Sequence, residues 1–300
     1  METFVPSTIR ELEILDPGEL CRVTLVLPNQ VEVGGTSFRI QDDMRPGTAF
    51  LGKPWGSRTQ KHRRRMYTRS NVSTIQPGVL ETFINYTHKP QSDTSMWWQS
   101  DEARIWQQTK TPIAIKVVLN VDQQVATVYE NAGVCKPSNL RLEEDGVWES
   151  LALTCVAFGT GITPFLAYLR YWVEHRRHHS GGGKNNHPLT LIVSARHYSQ
   201  LICHDELIDI SKEFAGEFFY YPNLTRTWPE QWSGLTGRIM TLSRDSTGNE
   251  QIDLSRLLKL SPSLAHQHLR LCGNGPACRQ IVTGLEQAGV TPLSVRSESW

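Results

Sequence analysis

Short apolar stretches recur through the first half of the chain, at CRVTLVL, TSFRI, LETFINYT, TPIAIKVVLNV and QVATVY, with Pro, Gly and Asn clusters between them. Many short runs separated by turn residues predict the strands of a barrel or sandwich. Residues 90–112 break this rhythm and hold Trp97, Trp98 and Trp106, as expected of a long loop or a short helical insertion. Near residue 150 the pattern changes. LALTCVAF is a continuous apolar run, the mark of a strand buried on both faces, and PFLAYLRYWVEH follows with helical spacing at Phe165, Leu169 and Trp172. After a polar, glycine-rich connector at 175–188, LTLIVSA, FFYYPNL, HLRLCGNG and TPLSVRSESW read as strands, with DELIDISKEF and ACRQIVTGLEQAG as helices. Strands alternating with helices imply a parallel sheet covered on both faces. The expected architecture is an N-terminal antiparallel β-barrel over residues 1–150 and a C-terminal doubly wound α/β domain over residues 151–300.

Composition narrows the class. The 300 residues are 39% hydrophobic and 20% charged, with 31 basic against 30 acidic side chains. That balance fits a soluble globular chain of two domains and excludes a collagenous or wholly disordered one. No apolar run approaches the roughly 18–20 residues of a membrane span, and the acidic start lacks the apolar core of a signal peptide. A cytoplasmic location is expected, or an organellar one if the N-terminus is processed. The six cysteines are scattered with no CxxC pair, so neither a disulfide framework nor a metal site is expected.

Candidate chemistry sits where the elements end. FGTGITPF follows a buried strand and opens a helix, so Gly159, Thr160, Gly161, Ile162, Thr163 and Pro164 form either a phosphate loop or an ordinary tight turn. Cys272, Gly273, Asn274 and Gly275 close another buried strand; ligands of open α/β sheets gather at such ends, so both loops would line one crevice. In RRRMYTRSN, Arg65 could pair with a phosphate, Tyr67 could stack on an aromatic ring and the Thr68 hydroxyl could donate to a ring nitrogen. Arg196, Arg226 and Arg238 follow the second and third C-terminal strands. Convergent guanidinium groups there suit a dianionic phosphate, favouring the 2′-phosphate of NADP over the bare ribose of NAD. At the terminus, Glu298 could relay protons or balance charge, and Trp300 could cover a cofactor face or close the core. Six basic residues between Arg58 and Arg69 raise a nucleic-acid reading, which the near-neutral chain and the lack of a recognised module argue against.

These motifs, in this order, resemble the ferredoxin–NADP+ reductase family of FAD enzymes, and among them the bacterial ferredoxin/flavodoxin–NADP+ reductases. RMYT is similar to the flavin signature, GTGITPF to the pyrophosphate loop, SAR, TR and LTGRI to the 2′-phosphate arginines, LCGN to the cysteine segment and ESW to the terminus. The resemblance implies FAD on Arg65, Tyr67, Thr68 and Ser70, with Thr94 and Ser95 at the flavin diphosphate and Trp300 on the second flavin face. It implies NADP(H) on Gly159–Pro164, Arg196, Arg226, Arg238 and Cys272–Gly275, with Cys272 and Glu298 positioning the nicotinamide. The implied activity is hydride transfer from NADPH to flavin N5 and single-electron release to ferredoxin or flavodoxin. Arg58, Lys61, Arg63, Arg64 and Arg69 would then form a docking face for an acidic carrier. The alternatives are a flavin, quinone or cytochrome b5-type reductase on the same frame, and a flavin-free binding protein that keeps the fold.

Overall fold

The computed structural model describes residues 1–86, 93–130, 152–178, 188–244, 246, 248 and 250–299. The chain divides into two compact units, one formed by residues 1–141 with 166–178 and the other by 142–165 with 179–300. The expected boundary at residue 150 and the terminal Trp300 lie outside the described residues.

Eleven strands build the described part of the first unit: β1 (Glu2–Asp16), β2 (Leu20–Val26), β3 (Gln30–Val33), β4 (Thr36–Gln41), β5 (Ala49–Lys53), β6 (Trp55–Gly56), β7 (Lys61–His62), β8 (Arg65–Thr68), β9 (Val79–Asn85), β10 (Ile113–Asn120) and β11 (Val125–Val128). The main sheet runs β3-β4-β11-β10-β1-β2-β9, with β5 joining β10 to β8. The pairs are antiparallel except β4–β11. The first half of β1 pairs with β10 and the second with β2, with register shifts near Glu11 and Asp16. Such bulges bend a strand, so the sheet curls into a half-barrel. Period-two alternation sets its core. Ile113, Ile115, Val117 and Leu119 of β10 point inward, with half-buried or exposed residues between them. They pack with Val5, Ile9, Val23, Leu25, Phe50 and Leu80.

The irregular stretch is helical: α1 (Asp93–Trp98) and α2 (Asp101–Thr109). Ser100 caps α2 by accepting from the Ala103 amide, and Lys110 ends it in the left-handed region. Trp97 and Trp98 are fully buried in the same core as the barrel strands.

The second unit carries β12 (Leu153–Phe158), β13 (Leu189–Ala195), β14 (Phe218–Leu224), β15 (Leu235–Thr236), β18 (His268–Gly273) and β19 (Ser294–Ser299) in one parallel sheet, ordered β15-β14-β13-β12-β18-β19. β13 and β18 are buried along their whole length, as strands covered on both faces must be. Between β15 and β18 lie a hairpin, β16 (Thr241–Arg244) with β17 (Glu250–Asp253), and a short helix, α5 (Ser255–Leu260). The other helices of this unit are α4 (His204–Glu213) and α6 (Gly275–Gln287), while α3 (Thr163–His178) belongs to the first unit from Leu166 onward. Among the described residues no helix is long and apolar enough to cross a membrane.

Candidate functional site

The strand order of the second unit locates its crevice. From β12 the chain goes to β13 on one side, while β18 flanks β12 on the other. Strand order therefore reverses between β12 and β18, and ligands of open α/β sheets bind outside the carboxyl ends at such a point. The loops after these two strands are Gly159–Pro164 and Cys272–Gly275, the two picked out in the sequence.

Their glycines are required by close backbone packing. A Cβ on Gly161 would lie 2.1 Å from the Cys272 carbonyl oxygen, and one on Gly273 would lie 2.3 Å from that of Phe158. Gly159 and Gly273 also take φ of +57° and +114°. Residues 159–162 form a 3₁₀ turn leading straight into α3. Thr160, Ile162 and Thr163 are buried, and the Thr163 hydroxyl donates to the Thr160 carbonyl at 2.6 Å. On the other loop, exposed Asn274 caps α6 by accepting from the Ala277 amide at 3.0 Å.

Cys272 and Glu298 are register partners on β18 and β19. Cys272 is fully buried. Burial first, and the neighbouring Glu298 charge second, push its thiol well above the ordinary range, so it stays protonated. Burial also raises the half-buried Glu298 carboxyl to about 6, within reach of neutral pH.

The three arginines cluster at the carboxyl edge of β13, β14 and β15, which are adjacent and parallel. The Arg226 amide donates to the Arg196 carbonyl at 3.1 Å, and the Gly237 amide to that of Leu224 at 2.8 Å. Arg226 and Arg238 are exposed, while Arg196 Nε donates to Gln200 at 3.2 Å. Beside them is a group the sequence reading missed: His204 lies 5.5–5.7 Å, ring to ring, from Tyr198, Tyr220 and Trp232. These residues come from four separate segments, so no local motif announced them.

In the first unit, β8 carries Arg65, Tyr67 and Thr68 alongside β5. The Tyr67 ring is half-buried against Phe50 and Trp98. Its enclosed hydroxyl accepts from Trp98 Nε1 at 3.0 Å and is hydrogen-bonded to Thr94, and burial raises its pKa far above the ordinary phenol value. Among the described residues Arg65 donates locally, to the Arg64 carbonyl. Buried Ser70 donates its hydroxyl to Glu81 at 2.6 Å, and Arg170 of α3 binds both the Glu81 carboxylate and the Ser70 carbonyl. Ser95 is half-buried.

One member of the basic docking set is corrected. Arg69 is 1% exposed and forms a two-pronged ion pair with equally buried Asp42, at 2.7 and 2.9 Å. It also donates to Asn71 and the Val79 carbonyl. Its guanidinium is buried and bonded internally, so it is not presented at a docking face. Arg58, Lys61, Arg63 and Arg64 are exposed on or beside the β6–β7 hairpin. Asp93 of α1 holds that hairpin by accepting from the Arg58 amide and the Thr59 hydroxyl, each at 2.5 Å. A Cβ on Gly56 would strike the Asp93 carboxylate. Burial raises this carboxyl, but the hydrogen bonds from Thr59 and Arg58 outweigh it and leave the pKa below the ordinary value.

Residues 155–281 match the family model described as the oxidoreductase NAD-binding domain. A search of curated proteins found no match. Among solved structures, the chain is similar to the flavohaem-like FAD/NAD-binding domain of a nitric oxide dioxygenase from Vibrio cholerae (TM-score 0.60, 11% identity, 98% of each chain covered). It is also similar to a cytochrome P450 reductase from Amycolatopsis (TM-score 0.63, 16% identity, 99% of this chain and 70% of that one). A ferredoxin–NADP+ reductase from Plasmodium falciparum aligns with TM-score 0.56 at 11% identity, over 99% of this chain and 96% of that one. At these identities the likeness is one of fold. Residues 155–281 thus match the oxidoreductase NAD-binding domain model, and the chain shares its fold with these flavin- and nicotinamide-dependent reductase structures.

Proposed function

We propose that the protein is an NADPH-dependent flavoprotein oxidoreductase that passes electrons to an acidic one-electron carrier of the ferredoxin or flavodoxin kind. The observation that carries this reading is the gathering of Arg196, Arg226 and Arg238 at one carboxyl edge, beside the strand-order reversal. A dianionic 2′-phosphate is the ligand best suited to convergent guanidinium groups. The half-exposed rings of Tyr198 and Trp232, in contact with each other and with His204, offer apolar faces to an adenine. The amides opening α3, with the helix dipole behind them, suit the pyrophosphate. Glu298, with its carboxyl raised to about 6, would hold or release a proton near neutrality beside Cys272, whose protonated thiol is a small neutral wall for the nicotinamide.

The residues of the first unit fit a flavin at its ring end. Tyr67 presents a ring locked through its hydroxyl, Arg65 and Thr68 flank it on β8, and Trp55 Nε1 is buried without an acceptor among the described residues. Arg65, Tyr67, Thr68 and Ser95 would hold the group. FAD bound there would supply the conversion of a two-electron hydride into single electrons. Ser70 and Thr94 are committed internally, to Glu81 and Tyr67. That commitment supports, as a second reading, a flavin-free binding protein. The exposed Arg58, Lys61, Arg63 and Arg64 would steer an acidic carrier.

The test is steady-state reduction of ferredoxin and of flavodoxin by the FAD-loaded protein. NADPH-driven turnover of either carrier, with NADH at least about tenfold poorer in kcat/KM, is expected. Turnover of cytochrome b5 or a quinone alone would replace the carrier assigned here. Failure to retain FAD would favour the binding-protein reading.

A further inference from the structure

The segment that presents Arg238 is held in an unusual way. β15 is only two residues long and pairs with β14 alone, so a sheet ladder contributes little to its position. Yet four consecutive carbonyls, from Leu235 to Arg238, each accept a hydrogen bond from a side chain. Trp232 Nε1 donates to Leu235 at 3.0 Å, Arg256 Nη1 to Thr236 at 2.5 Å, Asn223 Nδ2 to Gly237 at 2.8 Å and Arg256 Nη1 again to Arg238 at 3.1 Å. Gly237 turns the chain between the two Arg256 contacts with φ of +79°. Arg256 stands on α5, an element with no motif of its own, and reaches across from a neighbouring segment. Its Nη1 donates to backbone, and among the described residues no carboxylate pairs with its charge.

We propose that Arg256 is a positioning residue for recognition of the 2′-phosphate of NADP(H): it fixes the backbone that aims Arg238 and adds a fourth positive charge behind the phosphate. This rests on the NADPH reading given above. An exposed arginine on a loosely held two-residue strand would have to be ordered by its ligand, and prior ordering removes that cost from binding. Both Arg256 bonds come from one nitrogen, Nη1, whose two hydrogens are fixed in the guanidinium plane, whereas the hydrogens of an ammonium rotate on a flexible stem. Asn223 and Trp232 complete the frame, but their amide and indole are neutral, so only Arg256 contributes both geometry and charge.

The probes are 2′-phospho-AMP and AMP, titrated calorimetrically into the full chain, which makes the readout independent of flavin content and turnover. The wild type is expected to prefer 2′-phospho-AMP. Arg256→Gln should weaken 2′-phospho-AMP about tenfold, the scale seen when a supporting outer contact is lost, and leave AMP binding unchanged. Arg256→Lys should fall between the two. Arg238→Gln serves as the direct-contact control and should lose most of the preference. If Arg256→Gln weakened both nucleotides alike, its role would be general to the fold, and the positioning assignment would be wrong. The assignment would also fail if Arg256→Gln kept the wild-type preference while Arg238→Gln lost it, and the NADPH reading would then stand. No preference in the wild type itself would remove that reading and this inference together. Should Arg256→Gln not fold, the Lys variant alone decides: a preference equal to wild type overturns the assignment, and a reduced one supports it.

Discussion

In the first unit the hydroxyl of Ser70 goes to Glu81, that of Tyr67 to Trp98 and Thr94, and the guanidinium of Arg69 to Asp42. In the second, Arg226 and Arg238 are exposed and Asn274 makes only its helix cap. Each unit contains motifs read from the sequence as cofactor sites, yet they use those residues differently. The half-barrel builds polar motif residues into its own packing and offers mainly a ring face and Arg65. The parallel sheet uses glycines to let two loops close on each other, and leaves Arg226 and Arg238 outward. A buried polar group must be hydrogen-bonded wherever it lies, so burial of the RMYTRS strand end decides which of its residues remain available to a ligand.

This contrast can be broken most sharply at Asp42. Asp42→Asn leaves the Arg69 charge buried beside a neutral partner. The expected loss is about 3–5 kcal/mol, the usual result of removing one member of a buried pair. Urea denaturation measures it, and a loss under about 1 kcal/mol would mean that Arg69 is not a core residue.

Gly161→Ala tests the opposite unit. The new methyl would have to displace the Cys272 backbone, and overpacking of this kind costs about 1–3 kcal/mol. The loss should appear in the same denaturation experiment. An unchanged midpoint would show that the two loops do not pack as described and that Gly161 is free to serve a ligand alone.

A third effect of about 2 kcal/mol depends on pH. With its folded pKa near 6 against an ordinary 4.5, Glu298 holds its proton more tightly in the folded chain than in the unfolded one. Its contribution therefore favours folding below about pH 4.5 and is lost as pH rises through 6. Glu298→Gln should remove this fall in stability between pH 4.5 and 6.5. A variant whose stability follows the wild type across that window would show that Glu298 is not desolvated.

The smallest effect on stability belongs to the exposed hairpin. Reversing Lys61 and Arg63 to Glu should change folding free energy by less than about 0.5 kcal/mol. It should slow carrier reduction and flatten its salt dependence. Kinetics unchanged at low salt would remove the hairpin from the docking face.

Much of this was legible in the chain. LTLIVSA and HLRLCG are mostly apolar because their strands are covered on both faces, and the glycine loops fall at the strand ends because close approach there tolerates no side chain. In β10 burial alternates because one face meets the core, although Ala114 and Val118 on the other face blur the pattern in the sequence. Other features depend on partners distant in sequence. Arg63, Arg64 and Arg69 look alike in a basic run, and it is Asp42, 27 residues upstream of Arg69, that draws one of them inside. β1 shows no single alternation because its two halves pair with different strands. The β16–β17 hairpin is exposed at nearly every position, so no hydrophobic pattern marks it. Arg256 acts through backbone carbonyls, which carry no residue signature at all.

The central claim is that this chain takes hydride from NADPH and discriminates against NADH. It is tested most directly by anaerobic titration of the FAD-loaded protein with each nucleotide, following flavin absorbance. Bleaching by NADPH at a concentration at least about tenfold below that needed with NADH is the predicted result. Equal bleaching by both, or none by either, would contradict it.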